Sequence, residues 1–214
     1  MARSADGLVQ ALLHVYGRTY AQDAGIRLAD RPEPLYRLLV LSSLLGKRIS
    51  ADIAVASARE LFDAGYGTPQ SMVDASWQER VDALGRGHYK RYDESTSKLL
   101  AAAAQLCLDR WGGDLRRLRR EADGDRRRLQ SLLTEFPGIG PTGADIFTRE
   151  VQAVWPEFQP AVDDKVSAGA RALHLDPSSV GTLTAPRDLP RLTSALVRAG
   201  LARQLPEEIT AELR

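Results

Sequence analysis

The chain is predicted to be all-α, and three observations carry that reading. Apolar residues recur at helical spacing along most of its 214 residues, as in Leu8, Leu12, Tyr16 and Tyr20, which fall at every fourth position. Glycine and proline concentrate in short breaks, "GYGTP", "GRGHYKRY" and "WGGDL", instead of spreading through the segments between them. No run of alternating apolar and polar residues is long enough to argue for a half-buried strand.

Taken in order, the stripe from Leu8 to Tyr20 predicts a first helix. Leu35, Leu38, Leu39, Leu41, Leu44 and Leu45 make a denser stripe, so the second helix is the more deeply buried. Further helices are predicted over about 50–64, 71–83, 94–111, 125–135 and 141–154, each bounded by a glycine, proline or capping residue. The tail predicts three more, over about 165–173, 188–199 and 207–213, with "LDPSSVGTLTAPRD" as a loop between the first two.

A hydrophobic content of 43% supplies a core for a chain of this length. Lys and Arg number 29 against 28 Asp and Glu, a net charge of +1, so the overall charge does not announce a polyanion partner and any nucleic-acid surface must be a local patch. The single cysteine, Cys107, excludes an intrachain disulfide and any cluster held by four cysteines of this chain. The first twenty residues carry a short apolar run interrupted by Gln10, His14 and Arg18, which is neither a secretory leader nor a membrane span, and the expected location is the cytoplasm. The strongest local basic bias is "DLRRLRREADGDRRRL", which contains Arg126, Arg127 and Arg128. It reads either as a solvated helix surface laced with ion pairs or as a phosphate-facing patch.

The stretch "TEFPGIGPTGADIF" breaks this helical pattern abruptly. Gly138 and Gly140 are free to take positive φ, Pro137 stiffens the entry, and Pro141 suits the first turn of the following helix. Backbone N–H groups at such a helix start, backed by the positive end of the helix dipole, form an anion site that needs no side chain. An ordinary tight connection between helices is the alternative reading.

"LLTEFPGIGPTGADIF" resembles the helix-hairpin-helix element of the endonuclease III-like DNA glycosylases, whose hallmark is L-P-G-V/I-G with an alanine shortly after it. Downstream, "QPAVDDKV" is similar to the family segment that carries a catalytic aspartate. Upstream, "EPLYRLLVLSSLLGKRISADIAVASARELF" resembles the first helices of a six-helix barrel, and "GHYKRYDESTSKLLAAAAQL" the segment with a DNA-wedging loop. The resemblance spans Pro32 to Arg171, about two thirds of the chain. It implies a helical barrel lobe over 34–135 and a discontinuous second lobe made of 1–33 with 136–214. The family's iron-sulfur loop is absent, and no cofactor and no metal are expected. Thr142 stands where bifunctional members carry a lysine, so the Schiff base that starts strand cleavage has no amine at that position.

The resemblance implies a monofunctional DNA N-glycosylase of base excision repair, a monomer acting on duplex DNA with a damaged or mismatched base. Gly138, Ile139, Gly140 and Thr142 would hold the DNA backbone, and Asp163 would stabilise the oxocarbenium-like sugar. Read from the residues alone, Asp163 is equally an N-cap of the helix that follows. A flipped-out base leaves a gap for a side chain to fill, and His88, Tyr89 and Tyr92 are the candidates for that wedge; Tyr92 also reads as a core aromatic. The family's DNA-entering glutamine falls at Leu44 here. Trp77, Trp111 and Trp155 are expected to be buried. Two alternatives stay open: a non-catalytic helix-hairpin-helix protein that binds or senses damaged DNA, and a bifunctional glycosylase and lyase using Lys165.

Overall fold

The computed structural model describes residues 5–213. Among them the regular elements are helices and no strand occurs. They run in the order α1 (Ala5–Tyr16), α2 (Tyr20–Asp23), α3 (Pro32–Leu45), α4 (Ala51–Asp63), α5 (Pro69–Asp74), α6 (Trp77–Arg86), α7 (Asp93–Trp111), α8 (Leu115–Ala122), α9 (Arg126–Thr134), α10 (Pro141–Val151), α11 (Asp164–Ala172), α12 (Leu189–Leu201) and α13 (Glu207–Leu213). Short 3₁₀ turns occupy Pro156–Phe158, Pro177–Thr182 and Pro186–Asp188. The all-α expectation holds.

Local chemistry explains where the elements depart from the sequence pattern. The first stripe divides into α1 and α2 because the chain leaves the helix at Gly17, where a Cβ would lie 2.1 Å from the Leu13 carbonyl oxygen. The segment expected over 71–83 divides at Ser76, whose hydroxyl accepts from Glu79 N (3.2 Å) while the Glu79 carboxylate accepts from Ser76 N (2.7 Å), a reciprocal cap that starts α6 afresh. Helix α8 was hidden by its arginines: Leu115, Leu118 and Ala122 are its only buried residues, and Asp114 caps it by accepting from Arg116 N at 3.0 Å.

Two compact units emerge, one from Ala21 to Thr148 and one joining the described residues up to Tyr20 with those from Arg149 onward. Residues 21–33 and 136–148 fall in the central unit, whereas the expectation grouped them with the chain ends. The hairpin's own contacts give the reason: Phe136 stacks on Trp111 with ring centroids 5.1 Å apart, and a Cβ on Gly138 would lie 3.2 Å from Leu99 Cβ. In the central unit α3 packs on α4, α4 on α6, and α5 and α6 on α7. Leu35, Leu38, Leu39, Leu41 and Leu44 fill its core. Buried Arg80 ties three segments together by donating from Nε to Ser97 O and Oγ (both 3.2 Å) and from Nη1 to Met72 O (2.9 Å) and Ala75 O.

In the other unit α1 packs on α12 and α13, and α11 packs on α12. Leu8, Val9, Leu12 and Leu13 join Val166, Ala170, Leu192, Leu196 and Ile209 in one apolar cluster. Burying each leucine contributes about 2 kcal/mol. Helices α11 and α12 meet closely enough that a Cβ on Gly169 would lie 2.0 Å from Leu196 O. No helix is long and apolar enough to cross a membrane among the described residues.

Candidate nucleic-acid interface and carboxylate site

Helices α9 and α10 flank the hairpin, and Gln130 Nε2 donates to Asp145 Oδ1 at 2.6 Å to hold one against the other. Phe136 and Ile139 are buried and fasten the turn to the core. Gly138 takes φ +89°, a conformation L side chains rarely adopt. Its carbonyl accepts from Lys47 Nζ at 2.9 Å and from Ser43 Oγ at 3.4 Å, both from α3 and the turn after it. Burial holds the Lys47 ammonium below its ordinary range. Close approach of Gly46 and Gly143, where a Cβ on Gly46 would lie 3.3 Å from Gly143 N and Cα, seats the start of α10 on the end of α3.

Gly140 behaves differently from Gly138. Its φ is not positive, correcting the expectation that both glycines take the left-handed conformation. A Cβ there would meet nothing within 4 Å, and the residue is exposed. The backbone N–H groups of Gly140, Thr142 and Gly143 have no acceptor among the described residues. Ile139 is different again, because its N–H is donated to Phe136 O at 3.0 Å and so is not available to a phosphate. Thr142 is exposed at the first turn of α10.

The wedge candidates separate. Tyr89 is a core residue, 2% exposed, with its hydroxyl 2.9 Å from Thr96 Oγ1, so it cannot enter DNA. His88 and Tyr92 are exposed, both in the left-handed region at φ +67° and +68°. Tyr92 is 60% exposed and stacks against the Arg91 guanidinium, 5.0 Å from its ring centroid, which corrects the core reading of this residue. Leu44 is fully buried and cannot enter DNA either. Trp111 and Trp155 are buried as expected, whereas Trp77, the first residue of α6, is 38% exposed.

Most of the basic segment is internally paired. Arg116 bonds Asp114 at 2.7 Å, Arg119 bonds Asp30 at 2.8 Å, and Arg128 bonds Glu121 at 2.9 Å. The Trp111 indole N–H, then Arg110, hold the Glu121 carboxyl below the usual carboxylate range. Asp125 caps α9 by accepting from Arg127 N (2.7 Å) and Arg128 N (3.2 Å). Arg126 is half-buried with a partner, and the Arg127 guanidinium, exposed, forms no ion pair among the described residues.

Asp163 sits in the other unit, as the N-cap of α11. Its Oδ1 accepts from Lys165 N (2.8 Å) and Val166 N (2.9 Å). Its Oδ2 accepts from Arg149 Nη1, in an ion pair whose side chains are 4% and 6% exposed. Arg149 belongs to a polar cluster that sequence reasoning missed. Gln152 Nε2 donates to Arg149 O (2.8 Å) and Thr193 Oγ1 (3.0 Å), and its Oε1 accepts from Ala161 N (3.0 Å), pinning the strand of chain that leads into Asp163. Glu150 Oε1 accepts from Tyr20 N (3.1 Å) and Ser194 Oγ (3.2 Å). The signal was present as "TREVQ", four polar residues in a stretch otherwise apolar from Ile146 to Trp155. Asp164 and Lys165 are exposed at the first turn of α11. Among the described residues no group of three or more His, Cys, Asp and Glu stands close enough to hold a metal. Cys107 is buried, which pushes its thiol up to about 12.

The helical fold is similar to that of endonuclease III. Two solved structures are similar to the chain. A trapped endonuclease III–DNA covalent intermediate, an estranged-adenine complex, is 15% identical, with 93% of this chain and 87% of that one covered and a TM-score of 0.55. A non-covalent endonuclease III–DNA complex is 14% identical, with 93% and 86% covered and a TM-score of 0.56. At such identities the likeness is one of fold. No protein-family model and no curated protein matches the sequence.

Proposed function

We propose that the protein binds duplex DNA through its hairpin and releases a damaged or mismatched base by hydrolysis, as a monofunctional DNA glycosylase. The observation that carries the DNA reading is the row of unpaired N–H groups at Gly140, Thr142 and Gly143 at the start of an 11-residue helix, where Gly140 and Thr142 are exposed and Gly143 is buried. Phosphate oxygens are acceptors of matching charge, and the helix dipole favours them. Gly140 supports the same reading, since neither its φ nor any neighbour requires glycine there, while a backbone approached closely by a ligand does.

For the chemistry, cleavage sends the C1′–N bond pair out with the base, leaves positive charge on the sugar, and ends with water added at C1′ and its proton passed to the departed base. Asp163 is the carboxylate proposed to stabilise that charge, because two amide donors and a guanidinium hold it fixed. Thr142 supplies no amine, so the product is an intact strand with an abasic site, and Lys165 has only its backbone N–H engaged with Asp163. A panel of duplexes, each with one altered base, followed by hot alkali tests this: strand scission after alkali in at least one duplex is expected, and borohydride should trap no protein–DNA adduct. Binding to every duplex without release from any would reject the glycosylase. An adduct abolished by Lys165→Ala would reject the monofunctional assignment.

A non-catalytic duplex-binding protein is the second reading. The Arg149–Asp163 pair favours it, because a guanidinium on the carboxylate offsets part of the charge that a sugar cation would feel.

A further inference from the structure

Resting on the glycosylase reading, we propose that Arg149 is a positioning residue which makes Asp163 act through its fixed charge and leaves it without the capacity to deprotonate water. The acceptor inventory is the argument. A carboxylate offers about four lone-pair directions. Lys165 N and Val166 N take both of those on Oδ1, and Arg149 Nη1 takes one on Oδ2, which leaves a single direction open. All three are donors, and one of them carries a full positive charge. A general base must receive a proton during the reaction, and receiving it here means breaking a buried ion pair. Stabilising a neighbouring cation breaks nothing.

Arg149 is itself held for this role. Gln152 Nε2 bonds its carbonyl at 2.8 Å, and the same Gln152 side chain accepts from Ala161 N, so one amide fixes the backbone that presents the guanidinium and the backbone that presents the carboxylate. Glu150 is engaged with Tyr20 N and Ser194, and Asp164 is exposed.

Single-turnover base release and duplex affinity, measured on the full chain with the best duplex of the lesion panel, test the inference. Arg149→Lys keeps a buried cation and should stay within roughly threefold of the parent rate, whereas Arg149→Gln should lose roughly 100-fold in rate with duplex affinity unchanged. Because Arg149 acts through Asp163, adding Arg149→Gln to Asp163→Asn should cost no further rate. A rate for Arg149→Gln equal to or above the parent's would overturn the proposal, as would full additivity of the two changes or a failure of lysine to rescue. Should Arg149→Gln not fold, Arg149→Lys decides alone: a loss of roughly 100-fold in that folded variant overturns it, and near-parental release supports it. Absence of release from the parent protein would instead defeat the glycosylase reading on which the inference stands.

Discussion

The hairpin and the Asp163 segment satisfy their polar groups in opposite ways. The hairpin leaves three backbone donors without a protein acceptor at a helix start, those of Gly140 and Thr142 on exposed residues, a cost that an anion would remove. The Asp163 segment leaves almost nothing open: its carboxylate, the Gln152 amide and the Glu150 carboxylate all have buried partners. An unsatisfied donor at the surface points outward to a ligand, while a saturated acceptor in the core points to rigidity. On the proposed function, the first region meets a partner and the second holds a charge in place.

The contrast breaks most visibly at Gln152. Gln152→Leu orphans Ala161 N and removes two further bonds, so it should lower unfolding stability by about 3 kcal/mol, read from denaturant titration. A loss under about 0.5 kcal/mol would mean the cluster is not the rigid frame described. Gly138→Ala comes next. Its φ of +89° and the 3.2 Å approach of Leu99 should cost about 2 kcal/mol of stability, whatever its effect on DNA.

Gly140→Ala sharpens the comparison because it separates binding from folding. Stability should change by less than about 0.5 kcal/mol, since the new methyl meets nothing. Affinity for damaged and undamaged duplex alike should fall by about 1 kcal/mol, roughly fivefold, because a phosphate contact positions the protein without reading sequence. A change confined to lesion preference would remove the hairpin from its anchoring role. The smallest effect belongs to the arginine run: Arg127→Glu should reduce the slope of affinity against salt by about one, and Arg128→Glu, already paired with Glu121, by less. Equal slopes for both variants and the parent would return the whole run to an ion-paired surface.

The all-α class was legible because helical periodicity and glycine breaks are local signals, and the hairpin through its resemblance to a helix-hairpin-helix element, since the turn alone also reads as an ordinary connection between helices. Asp163 was legible as a cap by its place before "DKVSAGARA". What escaped was set by tertiary partners. Tyr89 and Tyr92 lie in one turn with the same residue type, yet a hydrogen bond to Thr96 buries the first and leaves the second outside. Helix α8 vanished under five charged residues, some of which find partners on other segments, such as Asp30 for Arg119. Arg149 lies 14 positions before Asp163, and no sequence period connects them.

The most direct test of the glycosylase assignment compares Asp163→Asn with the parent protein on one duplex, measuring base release and binding together. The asparagine Oδ1 can still accept from Lys165 N and Val166 N, but the charge is gone. The account predicts release reduced at least roughly 100-fold with duplex affinity retained. Release by Asp163→Asn at the parent rate would contradict it, and would leave Asp163 as a cap with a buried ion pair and no part in the chemistry.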